Sequence, residues 1–139
     1  MSTEQDQAST VDEVGTCACG KSSITIKGGF PTNKTGIVCY CTTCQKLGGG
    51  FGTYVTGLPR ESVAVAGDEV KTWHNPGKSS GNPVDMLFCG ECGSNLVGYP
   101  AHHQQAFVKL ALFGNKLKPG LELYKDMVPE FVPSLLKES

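Results

Sequence analysis

The sequence predicts a mostly β fold, chiefly antiparallel, with very little helix. Three observations carry that expectation. Eighteen glycines and eight prolines in 139 residues recur too often to leave room for long helices. The apolar residues between them fall in short runs that alternate or consist of β-formers. Seven cysteines gather in three tight clusters, which suits a small core held by staples rather than by size alone.

Taken in order, residues 1 to 14 are polar and carry Glu4, Asp6, Asp12 and Glu13 with no basic residue, the composition of a disordered tail. Residues 15 to 139 are expected to form one domain, with folding beginning near Val14, Gly15 and Thr16. Residues 23 to 27 alternate as a strand, with Ile24 and Ile26 facing inward, and Gly28 to Pro31 end it. A second strand at 36 to 41 delivers Cys39 and Cys41 at its end. Thr42 is expected to cap a single helical turn through Cys44, Gln45, Lys46 and Leu47, stopped by the glycines at 48 to 50.

Further strands are expected at 51 to 56, 62 to 66, 69 to 74 and 84 to 89. After these come 95 to 99 and 106 to 113, then Leu121 to Tyr124 ahead of a Pro-punctuated end with a helical turn at 134 to 138. The loop at 77 to 83 contains Gly77-Lys78-Ser79-Ser80. It lacks both the longer Gly-rich spacing and the following helix of a phosphate-binding loop, so it is read as a plain polar loop.

The chemistry lies in the cysteines. Cys39-Tyr40-Cys41-Thr42-Thr43-Cys44 packs three thiols into six residues, while Cys17-Ala18-Cys19 and Cys89-Gly90-Glu91-Cys92 are two clips. An extended CxC puts both sulfurs on one face, and Gly93 suits the left-handed turn that closes CxxC. Seven is an odd count for disulfides, and the start of the chain has neither the basic residues nor the apolar run of a signal peptide. No βαβ pattern surrounds Cys89 and Cys92, which argues against a redox dithiol. Zinc accounts for all seven thiols. If the two clips complete one another, Cys17, Cys19, Cys89 and Cys92 make a closed tetrahedral site, and Cys39, Cys41 and Cys44 are left as a second site with one corner open.

Composition narrows the remaining classes. The net charge is -1, and outside the acidic first 14 residues the chain carries 12 basic against 9 acidic residues. That mild excess is scattered, unlike the basic footprint of a nucleic-acid binder. No stretch is long and apolar enough to cross a membrane. Free thiolates persist in a reducing compartment, so a cytoplasmic location is expected; oligomeric state is not legible.

Cys17-Ala18-Cys19-Gly20, the triplet about twenty residues later and Cys89 to Gly93 about forty-five residues beyond it together resemble the glutathione-dependent formaldehyde-activating enzyme (GFA) family, also seen in centromere-protein-V-like proteins. The resemblance spans roughly residues 14 to 130, and Ser94-Asn95-Leu96 looks like the family's SxL stretch. It implies a β-tent fold and two zinc ions per chain. Residue by residue, it implies structural-zinc ligands at Cys17, Cys19, Cys89 and Cys92, and catalytic-zinc ligands at Cys39, Cys41 and Cys44.

The chain departs from the family pattern around the expected pocket. Tyr40 and Gln45 stand where many members have His and Arg, and both are expected to line the pocket. Leu112-Phe113-Gly114-Asn115-Lys116 replaces a GTLDDP-like strand end, and Tyr124 and Phe131 lie where a later His and Trp are usual. The zinc chemistry therefore carries over further than the substrate.

Three thiolates about Zn2+ leave a net -1 charge, a soft Lewis acid suited to a thiolate or a polarised carbonyl. The resemblance implies a zinc-dependent carbon–sulfur lyase acting on a small thiol adduct or carbonyl compound, and the departures around the pocket point to a substrate that need not be glutathione and formaldehyde and to a setting in specialised metabolism. The alternative is a non-catalytic, zinc-stabilised β-tent binding module. A fourth ligand from His74, His102 or His103 would favour that alternative; the turn-like setting of the last two reads more simply as exposed surface.

Overall fold

The computed structural model describes residues 11–77 and 81–136. Short strands separated by turns build two sheets. The small sheet has the order β1 (Glu13–Thr16), β2 (Ser23–Ile26) and β5 (Val63–Ala66), all antiparallel. The large sheet runs β10 (Pro119–Leu123), β3 (Gly36–Cys39), β4 (Thr53–Pro59), β9 (Gln105–Lys109), β8 (Asn95–Pro100), β7 (Val84–Cys89), β6 (Val70–Asn75). Its neighbours are antiparallel except β10, which lies parallel to β3.

The side-chain period of two divides the large sheet into two faces. Leu58 on β4 and Ala106 and Val108 on β9 meet Ile24, Ile26 and Val63 of the small sheet, with Leu96 and Val97 completing the core. Cys17 and Cys89 belong to the same cluster, so the first and third cysteine clusters are rooted in the hydrophobic interior. The other face carries Ile37, Cys39, Thr53, Val55, Phe107 and Lys109, brought side by side by the registers Ile37↔Val55, Cys39↔Thr53 and Val55↔Lys109.

Helix α1 (Thr42–Gly48) is the one α-helix among the described residues and follows β3 directly. Its N-cap is Cys41 rather than the expected Thr42, because the Cys41 sulfur accepts the Cys44 N–H at 3.3 Å. Gly49 closes it in the left-handed region at φ 72°.

Several boundaries differ from expectation for local reasons. The strand begun at Ala106 ends at Lys109 and gives way to a 3-10 helix, Leu110–Phe113, stopped by Gly114 at φ 75°. β1 begins at Glu13, one residue ahead of the expected start of folding. The Cys17 clip is a turn, closed by Gly20 N–H to Cys17 O at 3.1 Å, and not extended chain. Residues 134 to 136 are not helical. Residues 137 to 139, most of the first 14 and residues 78 to 80 of the Gly77 loop lie outside the described residues.

Candidate metal centres

The four sulfurs of Cys17, Cys19, Cys89 and Cys92 all lie within 4.8 Å of one another, and the three of Cys39, Cys41 and Cys44 do likewise. None of the seven cysteines is in a disulfide. In the first cluster Cys17 and Cys19 sulfurs are 3.6 Å apart and Cys19 and Cys89 sulfurs 3.8 Å. A tetrahedron with zinc–sulfur bonds of about 2.3 Å has edges of about 3.8 Å, whereas a disulfide would close the gap to about 2.0 Å. The spacing therefore fits zinc.

Local backbone makes this cluster. Each clip is a tight turn, the second closed by Gly93 N–H to Cys89 O at 2.7 Å with Gly93 at φ 82°. The turns also present donors to sulfur: Ser22 N–H reaches Cys17 Sγ at 3.2 Å, and the Ser94 hydroxyl lies 3.2 Å from Cys92 Sγ. The Ser94 hydroxyl and N–H hold the Cys92 thiol down at about 5. Ser94 Oγ also accepts Ala18 N–H at 3.1 Å, tying the two clips together across 76 residues.

The triplet stands where β3 runs into α1. Cys39 closes the strand, Cys41 caps the helix and Cys44 lies in its first turn. Mutual contact shifts these thiols in opposite directions. Hydrogen bonding to Cys39, with help from the charge of Lys109, lowers Cys44 to about 5, and the same contact with Cys44 together with burial raises Cys39. A set of thiols so close that one ionises at the expense of the next is a donor set suited to a cation.

Cys39 and Cys44 form part of the wall of a cleft of about 330 Å³ on the open face of the large sheet. Val55, Val84, Met86 and Phe107 give it an apolar lining, with Tyr124 and His103 also in its wall. A second hollow, of about 500 Å³, lies between the two cysteine clusters and reaches Ser94, Asn95, Leu47 and Thr53. Asn95 Nδ2 donates to Leu47 O at 3.1 Å and so pins the loop after the second clip to α1.

The remaining candidate residues are placed as follows. Tyr40 is buried, donates its hydroxyl to Glu122 Oε2 at 2.5 Å, and lines an apolar hollow beside the triplet rather than the cleft itself. Gln45 Nε2 donates to Tyr40 O at 2.7 Å and to Met127 O at 3.0 Å, clamping the chain after β10 against α1. His74 is exposed, 2.7 Å from Asp85. His102 is exposed, and His103 sits edge-on to Phe107 at the cleft. Among the described residues no histidine joins the three-cysteine group.

A GFA model, described as glutathione-dependent formaldehyde-activating enzyme, matches residues 12–127. The chain belongs to the GFA family. The mostly β fold and the division of the seven thiols into four and three are those that the resemblance implied. Among solved structures, the GFA chain is similar to a Rhodobacter sphaeroides protein from a structural genomics programme. Identity is 16%, the TM-score is 0.60, and 80% of this chain and 99% of that one are covered; the likeness is one of fold. No curated protein sequence matches the chain.

Sequence reasoning overlooked two residues beside the triplet. Thr53 is paired with Cys39 across β3 and β4, and Lys109 is 9% exposed at the end of β9. Burial lowers the Lys109 ammonium, while the Cys44, Cys39 and Cys41 thiols pull it back up. The available signal was composition, since Lys109 is the one charged residue in the run from 106 to 113.

Proposed function

We propose that this GFA member is a zinc-dependent enzyme of the carbon–sulfur lyase type, acting on a small thiol adduct or carbonyl compound in a reducing, cytoplasmic setting. One observation carries the proposal: the second cluster has three ligands and no fourth among the described residues, and two of the three, Cys39 and Cys44, face a cleft. The four-cysteine cluster, complete in itself and rooted in the core, is assigned the structural zinc.

A zinc ion held by Cys39, Cys41 and Cys44 would supply stabilisation of a thiolate or polarisation of a carbonyl. The chain's own residues do the rest. α1 and β3 fix the three sulfurs, with the Cys44 N–H on Cys41 holding the first turn of the helix around them. Thr53, opposite Cys39 across β3 and β4, lines the same cleft as the triplet. Val55, Met86 and Phe107 line the cleft with apolar surface, which would limit the water around a reacting group. Tyr40 and Gln45 act as positioning residues. They hold the β3–α1 junction to the segment after β10 and do not themselves meet the substrate.

The test is zinc content by elemental analysis on gently purified protein, with X-ray absorption at the zinc edge before and after adding glutathione or phenylmethanethiol. Two zincs per chain, with light-atom neighbours replaced by sulfur on adding at least one of the two thiols, are expected. One zinc in an all-sulfur shell that ignores both thiols would overturn the proposal and leave the non-catalytic binding module.

A further inference from the structure

The cleft narrows the ligand class further, an inference that rests on the open three-cysteine site proposed above. Lys109 lies in the wall shared by the cleft and the hollow between the two cysteine clusters. It is 9% exposed, and no carboxylate among the described residues forms an ion pair with it. Its electrostatic partners are Cys44, Cys39 and Cys41. A buried ammonium without an opposite charge is strongly disfavoured, so the thiols of the triplet are what make Lys109 tolerable there.

The converse follows from charge arithmetic. Three thiolates about a divalent cation carry a net negative charge, and an anionic fourth donor would enter a site already negative. An adjacent ammonium brings the site to neutrality and removes that repulsion. The rest of the cleft is mostly apolar: Ile37, Val55, Val84, Met86 and Phe107 line it, Lys109 is the only Lys, Arg, Asp or Glu among the described lining residues, and His103 is the only other side chain there that can carry a positive charge. Glutathione brings two carboxylates and an ammonium besides its thiol, three charged groups for which the cleft, with Thr53, Asn82, His103 and Tyr124 as its neutral polar lining and apolar side chains over most of the rest, offers too few partners to replace the lost water.

We propose that Lys109 is the counter-charge that lets the three-cysteine site accept an anionic sulfur donor, and that its ligand class is a compact thiol with an apolar body rather than glutathione. On binding, the ligand's S–H bond breaks, its proton passes to the buffer and the sulfur keeps the electron pair. Lys109 acts on the ligand through charge and is a positioning residue.

The test uses zinc-loaded full-length protein as wild type, Lys109→Met and Lys109→Arg. Zinc content and thermal midpoint are recorded for each, and phenylmethanethiol, glutathione and cysteamine are titrated by calorimetry in two buffers of different ionisation heat. Wild type is expected to bind phenylmethanethiol at least tenfold more tightly than the other two thiols, with release of one proton. Lys109→Met is expected to weaken that binding at least tenfold while keeping both zincs, and Lys109→Arg to weaken it less.

Wild-type affinity in Lys109→Met, or glutathione binding as tightly as phenylmethanethiol, overturns the inference while leaving the open site standing. A wild type that holds two zincs and binds no thiol overturns the open site, and the inference with it. Should Lys109→Met fail to fold, the ligand series on wild type and the Lys109→Arg affinity decide. Glutathione equal to phenylmethanethiol, or an arginine variant weakened a hundredfold, then counts against the assignment.

Discussion

The Tyr40 hydroxyl meets Glu122 Oε2 at 2.5 Å, in a place where both residues are almost closed to solvent. Tyr40 lies between two ligands of the triplet and Glu122 lies on β10, 82 residues away in sequence. The same carboxylate accepts from the Ser134 hydroxyl and from Leu135 N–H at 3.1 Å. One buried acid thus fastens the three-cysteine loop, the parallel strand and the segment beyond it.

Those donors set how the fastening depends on pH. The Ser134 hydroxyl first, then Tyr40, hold Glu122 down at about 2 against the ordinary 4.5. A depressed carboxyl contributes stability that is fully present above its unfolded value and is lost as pH falls through its folded one. Stability is therefore expected to decline between pH 4.5 and about 2, with Glu122→Gln less stable at pH 7 and flatter across that window. Tyr40→Phe, which removes one donor from a buried carboxylate, is expected to cost about 1.5–3 kcal/mol. Urea midpoints at pH 7 and pH 3 check both.

The two cysteine clusters are expected to fail differently. Cys89 is fully buried in the core, whereas Cys44 is only partly buried at the cleft. Cys89→Ser should lose one zinc and more than about 4 kcal/mol of stability, the scale of losing a structural metal. Cys44→Ser should also lose one zinc but stay within about 2 kcal/mol of wild type. Zinc content set beside thermal unfolding distinguishes them. Equal destabilisation would mean that the triplet is as structural as the quartet.

Gly52 marks a close approach of backbones. A Cβ there would stand 2.5 Å from the Cys39 carbonyl oxygen, which cannot swing away as a side-chain tip could. Gly52→Ala is expected to cost about 1–3 kcal/mol and to weaken metal retention at the triplet by displacing Cys39. Gly50→Ala, whose Cβ would meet nothing within 4 Å, serves as the control and should remain within about 0.5 kcal/mol of wild type. Chemical unfolding together with chelator competition reads both effects.

The cysteine clusters were legible because thiol spacing is a local property: the crowding of Cys39, Cys41 and Cys44 and the two clips need no knowledge of the fold. The strand positions were legible for the same reason, Ile24 and Ile26 giving a clean alternation. What escaped was set by distant partners. Leu110 to Phe113 has strand composition but turns into a 3-10 helix ahead of Gly114. Tyr40 and Gln45 flank ligands in sequence, yet their side chains turn toward Glu122 and Met127, which no local pattern announces. Tyr124 takes the left-handed conformation at φ 60°, unusual for a bulky side chain, where the chain leaves β10 and reaches the cleft wall. The parallel pairing of β10 with β3 lay equally beyond local reading, since it joins segments some eighty residues apart.

That pairing also imposes an order on assembly during synthesis. Every residue of the four-cysteine cluster has been made once Cys92 is in place, so the cluster can close while the chain is still growing. The triplet is made earlier but finished later. β3 lacks one hydrogen-bonding neighbour, and Tyr40 N–H lacks its Leu123 acceptor at 3.0 Å, until residues 119 to 123 have emerged. The three-cysteine half of the molecule is thus assembled last, onto a scaffold whose four-cysteine cluster is already closed.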